Sequence, residues 1–137
     1  MMVSLTVLIH FVGLSILLAL INRYRPSASQ AGNIVGNAMA ILGAAFGLFA
    51  LHGLEIWTYA FLYYGMTAFG TFEEALYFST TTYSTIGYGD LVLPPTSRLI
   101  GAIEGANGII LLGWSTAFFF AVVDRMKLLE RELEDAA

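Results

Sequence analysis

The sequence contains no cysteine, which excludes disulfides and thiolate metal sites. It is also poor in charge. Only 12% of its 137 residues are charged, where a soluble domain carries about 25%. The net charge is −4, and Glu130, Glu132, Glu134 and Asp135 crowd the C-terminal end. No basic patch remains to bind nucleic acid. No paired nucleophile and base suggests an enzyme, and no segment repeats. What replaces charge is apolar surface: 58% of the residues are hydrophobic. The length allows one domain, and the composition fits a small integral membrane protein better than a soluble core.

Three apolar runs organise the chain. The first, 2–21, is interrupted only by Ser4, Thr6, His10 and Ser15; about 20 apolar residues span a bilayer. It stops at Asn22-Arg23-Tyr24-Arg25-Pro26. Arginines just past a span place that end in the cytoplasm, so the N-terminus lies outside. A cleavable signal peptide would carry its positive charge before the apolar run, not after it. Residues 27–33 form a polar linker. The second run, 34–64, would make a helix of about 46 Å, longer than a hydrocarbon core of about 30 Å. Gly36, Gly43, Gly47 and Gly53 suit close packing of membrane helices. Trp57, Tyr59, Tyr63 and Tyr64 read as an interfacial belt. The third run, 97–123, is followed by Arg125, Lys127 and Arg131, again a cytoplasmic signature.

Between the second and third runs lies a segment too short to span. Residues 72–83 make about three helical turns. Thr71 is the expected N-cap, with Glu74 as its capping-box partner. Glu73 and Glu74 suit the positive end of that helix. Then comes Thr81-Thr82-Tyr83-Ser84-Thr85-Ile86-Gly87-Tyr88-Gly89-Asp90. Non-helical backbone at membrane depth is tolerated only inside protein or beside water. Thr-x-Gly-Tyr-Gly is the type of run whose carbonyls replace the hydration shell of potassium. Pro94-Pro95 then prevents an early start to the next helix.

On these residues the chain resembles the prokaryotic potassium channels of the pore-loop family, with an extra N-terminal span. The resemblance covers roughly residues 34–125. It implies an all-α integral membrane fold: three transmembrane helices, a re-entrant pore helix and a selectivity-filter loop, assembled as a tetrameric pore. The expected divisions are 1–33, the additional helix and linker; 34–124, the pore domain; and 125–137, a short cytoplasmic tail. Within the pore domain the outer helix is 34–64, the pore helix 72–83, the filter 85–90 and the inner helix 97–123. The implied partners are three further copies of the chain and membrane lipid. The implied location is the cell (inner) membrane, with the C-terminus cytoplasmic. No soluble ligand-binding domain is expected, and no organic cofactor.

The resemblance also assigns roles. Potassium, the transported ion, is coordinated by carbonyls of Thr85, Ile86, Gly87 and Tyr88, with the Thr85 hydroxyl closing the innermost ring. Such a column of carbonyls needs alternating dihedrals, and Gly87 and Gly89 adopt positive φ without steric cost. Ile86 and Tyr88 are expected to turn outward into a packed cuff. Asp90 stands at the outer mouth. Tyr77 and Phe78 occupy the place of familiar aromatic buttresses, and Tyr77 is positioned to donate to Asp90. Thr81 stands where some members carry a buried glutamate. Arg98 matches a basic residue at the start of the inner helix and would face Asp90 or the headgroups. If Gly108 is the hinge, Ile109, Leu112, Thr116 and Phe120 share one face at helical spacing. That face would line the cavity, with Phe120 as a hydrophobic gate. Val122, Met126, Leu129 and Leu133 match a short a/d seam, compatible with a small bundle or with a frayed helix.

Polar residues inside spans are costly and mark function or internal pairing. His52 and Glu55 share a helix face, as do Glu104 and Asn107. The two pairs are expected to meet behind the pore helix, near Ser79 or Thr82. They would form either a satisfied cluster fixing helix register or a proton-sensitive support for the filter. His10 reads as a lone packing histidine. The first span carries no arginine ladder, so it is not a voltage sensor; packing on the outer helix is its expected role. Two other readings compete with a potassium channel. One is a weakly selective cation channel. The other is a helical bundle holding haem or quinone between His10 and His52.

Overall fold

The structure, a computed structural model, describes residues 1–23 and 34–134, with side chains at 1–23 and 36–125. Four helices build it: α1 (Met2–Arg23), α2 (Ile34–Gly65), α3 (Phe72–Tyr83) and α4 (Arg98–Glu134). Among the described residues there is no strand. Helices α1, α2 and α4 are long and apolar enough to cross a membrane, whereas α3 is not. The all-helical membrane architecture is therefore the one expected, with three spans and a short helix between the last two.

Boundaries follow local chemistry. Helix α3 starts behind Thr71, whose hydroxyl accepts from the Glu74 amide at 3.2 Å. The Glu74 carboxylate reaches back to the Thr71 amide at 3.1 Å and the Gly70 amide at 3.0 Å. This closes the capping box and satisfies amides that the first turn leaves without helical partners. Helix α4 differs from the expected 97–123. It begins at Arg98 and runs unbroken to Glu134, because the polar stretch after the apolar run contains no glycine or proline to stop it.

Helix α1 packs on α2 through two reciprocal seats. The Leu51 side chain occupies the space beside Gly13, where a Cβ would come within 2.8 Å of Leu51 Cδ2. The Leu17 side chain sits likewise against Gly47. Each leucine fills a hole that only glycine leaves open, the means by which membrane helices approach closely. Leu14, Leu48 and Leu51 are buried there, with Phe118 and Phe119 of α4 closing the cluster. A second core lies beside α3, where Tyr59, Tyr63, Ala75 and Leu93 are buried and Phe78 packs edge-on to Tyr63.

Helices α1 and α4 end on the same side. Arg125 Nη1 donates to Asn22 Oδ1 at 3.0 Å. The contact brings Arg125 to the end of α1 that carries Arg23. Arg25 lies outside the described residues, as do the side chains of Lys127 and Arg131.

Candidate functional site

The loop after α3 departs from ordinary backbone in a regular way. Positive φ occurs at Thr85 (62°), Gly87 (55°) and Gly89 (79°), at every second residue. The two glycines were expected there. Thr85 was not, since a β-branched residue in the left-handed region is strained and unusual. The loop is anchored to the end of α3: the Thr85 amide donates to Thr82 O and the Gly87 amide to Thr81 O, each at 3.0 Å. These bonds occupy carbonyls that a helix C-terminus leaves without partners. Thr81 contributes through that carbonyl, while its hydroxyl donates to Phe78 O at 3.1 Å.

Every residue from 85 to 90 is exposed in the single chain, including Tyr88 at 71% and Ile86 at 55%. Tyr77 Oη donates to Asp90 Oδ2 at 2.8 Å. Accepting this bond, the Asp90 carboxylate raises the Tyr77 phenol above its ordinary pKa. Arg98 Nε donates to Leu93 O at 3.4 Å. Phe78 fits against Gly101, whose missing side chain makes room for its ring.

On α4, Gly108 is buried against α3, while Ile109, Thr116 and Phe120 are exposed and Leu112 is half-buried. Phe118 and Phe119 pack inward, so Phe120 alone of the three aromatics projects from the chain at 63% exposure. Val122 is buried within its own chain at 4%. It is therefore not free to open an a/d seam with other copies. Met126, Leu129 and Leu133 of that seam lie outside the described side chains.

The polar residues of the spans form separate networks rather than the single meeting point expected of them. Glu104 accepts from Tyr63 Oη at 2.6 Å and from Ser79 Oγ at 2.5 Å. Ser79 Oγ also lies 2.9 Å from Ile56 O. Asn107 turns from Glu104 and donates to Thr6 Oγ1 at 2.7 Å and to Tyr59 Oη at 3.5 Å. Glu55 and His52 pair at 3.1 Å, but their further partner is Tyr83, not Ser79 or Thr82: the Tyr83 hydroxyl donates to Glu55. His10, far from being a lone packing residue, places Nδ1 2.8 Å from Glu55 Oε1 and Nε2 3.4 Å from Ser115 Oγ. The separation arises because α1 supplies partners to both α2 and α4, so Glu55 and Asn107 are drawn toward it. The His10 and His52 rings lie 5.5 Å apart with both Nδ1 atoms on one carboxylate, an arrangement without a slot for a flat macrocycle.

Thr6, His10, Tyr59, Tyr63, Tyr83 and Ser115 thus belong to the support, although little in the sequence announced them. One signal was available. Thr6, His10 and Leu14 are four residues apart, and they are the buried residues of α1. Two polar residues on one stripe of a span mark its inward face. Among the described residues, every buried side-chain nitrogen and oxygen has a hydrogen-bond partner.

The sequence model of a family described as "Ion channel" matches residues 51–125, more than half of the chain. The match begins within α2, takes in α3 and the following loop, and ends within α4; α1 lies outside it. No curated protein and no solved structure matches the chain.

Proposed function

The chain belongs to this ion channel family, and from that premise we propose that it is a potassium-selective channel, a homotetramer conducting K⁺ passively across the cell membrane. The observation that carries the reading is the alternation of left-handed backbone at Thr85, Gly87 and Gly89. Successive carbonyls of an ordinary strand point to opposite sides. Turning every second residue into the left-handed region is what a column of carbonyls facing one axis requires. Thr85 adopts that region at a cost of about 1–2 kcal/mol, and strain of this kind persists where function demands it.

One chain offers one such column. Ion coordination from all sides needs several copies around an axis, as closed symmetry provides. The exposure of residues 85–90 supports that arrangement, since backbone at membrane depth must be covered by protein or face a water-filled path. In the tetramer, carbonyls of Thr85, Ile86, Gly87 and Tyr88 and the Thr85 hydroxyl replace the hydration shell of K⁺. Gly89 supplies the last turn of backbone. Ile86 and Tyr88 pack against neighbouring copies and hold the diameter. Repulsion between ions in adjacent sites drives throughput. The negative end of α3 lies at the start of the loop, where it favours a cation. Asp90, held by Tyr77, concentrates cations at the outer mouth. The exposed face with Ile109, Thr116 and Phe120 lines the inner cavity, and Phe120 gates it. The N-terminus is outside and the C-terminus cytoplasmic, in keeping with Arg125 meeting Asn22 at one face.

Flux from liposomes, with K⁺ and Na⁺ compared, tests the reading. K⁺ should pass in large excess over Na⁺. Gly87→Ala has open space for its methyl group but must hold φ at 55°. It should abolish the discrimination while the tetramer still forms. Equal passage of both ions through the wild-type channel would favour the weakly selective alternative, and retained selectivity in Gly87→Ala would refute the filter assignment.

A further inference from the structure

Three helices converge on one carboxylate behind the loop. From α1, His10 Nδ1 stands 2.8 Å from Glu55 Oε1. From α2 itself, His52 Nδ1 stands 3.1 Å from Glu55 Oε2. From the end of α3, the Tyr83 hydroxyl donates to that same oxygen and lies 2.9 Å from His52 Nδ1. A ring nitrogen from each histidine and a Glu55 oxygen all fall within 4.8 Å of one another. His10 and Glu55 are fully buried.

We propose that His10, His52 and Glu55 form a binding site for a divalent first-row transition ion, Zn²⁺ in class, with the Tyr83 oxygen in the fourth position. Two imidazole nitrogens and a carboxylate are a common ligand set for zinc. Hard cations such as Ca²⁺ and Mg²⁺ prefer oxygen throughout, so the imidazoles select against them. Bonds of about 2.0–2.2 Å place tetrahedral ligands roughly 3.4 Å from one another. Most of the hydrogen-bonded contacts here are a few tenths of an ångström shorter, the one between Tyr83 and Glu55 is shorter by about 1 Å, and a separation as wide as 4.8 Å would have to close by about 1.4 Å.

Charge and protons balance. With neutral imidazoles and an ionised Glu55, the bound ion leaves one positive charge in an apolar setting. A bound cation acidifies a coordinating hydroxyl. Tyr83 therefore binds as phenolate, its proton leaves to water, and the site becomes neutral. No electron is transferred. Coordination through Nδ1 also requires each ring proton to sit on Nε2. His10 Nε2 then donates to Ser115 Oγ, which lies 3.4 Å away and accepts as readily as it donates. Such an outer partner fixes the tautomer of a metal-bound histidine. His52 keeps 13% of its side chain accessible in the single chain, the accessible edge of the site.

An ion there would fasten α1 and α2 to the residue that ends α3, two positions before Thr85. The first span thereby gains a role in holding the pore helix. The site includes none of the residues assigned to K⁺, so its test is independent of conduction.

The test uses the full chain in nanodiscs, stripped with chelator and titrated with Zn²⁺ by calorimetry at about pH 8, where free imidazoles are neutral. Expected are about one Zn²⁺ per chain, a higher Tm, and about one proton released per ion. Co²⁺ in place of Zn²⁺ should give the intense visible bands of a tetrahedral site. His10→Gln and His52→Gln should each weaken binding by more than about tenfold, and Tyr83→Phe should abolish the proton release. If His10→Gln fails to assemble, His52→Gln at the accessible edge decides. Absent Co²⁺ bands, or Zn²⁺ binding unchanged in His52→Gln, would overturn the site. Undiminished proton release in Tyr83→Phe would overturn the fourth ligand.

Discussion

Gly108 of α4 lies directly against the backbone of Tyr83, the last residue of α3. A Cβ on Gly108 would stand 3.0 Å from the Tyr83 carbonyl carbon and 3.1 Å from its Cα, and closer still to its oxygen. These are backbone atoms, so no side-chain rotation relieves the contact. Whether or not this glycine is a hinge, its contact with Tyr83 is reason enough for it to be glycine. Gly108→Ala should destabilise the assembled channel by about 1–3 kcal/mol per chain, the usual cost of overpacking. K⁺ flux should fall as the end of α3 shifts. Gly43→Ala on α2 meets nothing within 4 Å and serves as the control. Thermal unfolding of the two variants side by side separates a contact effect from a helix-propensity effect.

Thr85 combines a strained backbone with a hydroxyl, and substitution can separate the two. Thr85→Gly relieves the left-handed strain, worth about 1–2 kcal/mol, and removes the hydroxyl. Its Tm should be unchanged or higher, while preference for K⁺ over Na⁺ declines. Thr85→Ser keeps the hydroxyl and should keep the preference. Equal selectivity in all three channels would show that the hydroxyl takes no part in coordination.

Thr6 and Asn107 join the first span to the inner helix by a buried bond of 2.7 Å. Thr6→Val leaves the Asn107 amide without that acceptor and should cost about 1–3 kcal/mol, the penalty for a buried polar group deprived of its partner. Asn107→Leu should cost a similar amount. The double variant should lose less than the sum, because neither partner is then left behind. Additive losses in a thermal-unfolding cycle would mean that the two residues act separately.

What the sequence made legible was local. Thr71 and Glu74 are three residues apart, so the start of α3 could be read from their spacing alone. Gly87 and Gly89 announce positive φ by having no side chain. The support behind the loop was hidden for the opposite reason. His10 finds Glu55 across 45 residues, Asn107 finds Thr6 across 101, and Glu104 finds Tyr63 across 41. Helical periodicity tells which residues share a face, not which face of another helix they meet. Two acids read as one cluster therefore proved to be two sites, sorted by a first span whose only visible hint was Thr6 and His10 on one stripe. Thr85 escaped for a third reason, since steric preference argues against a β-branched residue there.

Glu104 meets two hydroxyls, Tyr63 at 2.6 Å and Ser79 at 2.5 Å, and the hydrogen count predicts what can replace it. Ser79 has one proton but two acceptors within reach, Glu104 and Ile56 O. A glutamine at this position serves all three groups but leaves the second N–H of its amide over. Its carbonyl accepts from Tyr63, its amide donates to Ser79, and Ser79 then donates to Ile56 O. Glu104→Gln should therefore lose only what its one leftover N–H costs, about 1 kcal/mol of stability. Glu104→Leu has similar bulk but leaves the buried Tyr63 hydroxyl with no acceptor there. It should cost about 1–3 kcal/mol and loosen α3, into which Ser79 is built. A glutamine variant as unstable as the leucine variant would mean that pairing these two hydroxyls does not by itself hold this part of the support together.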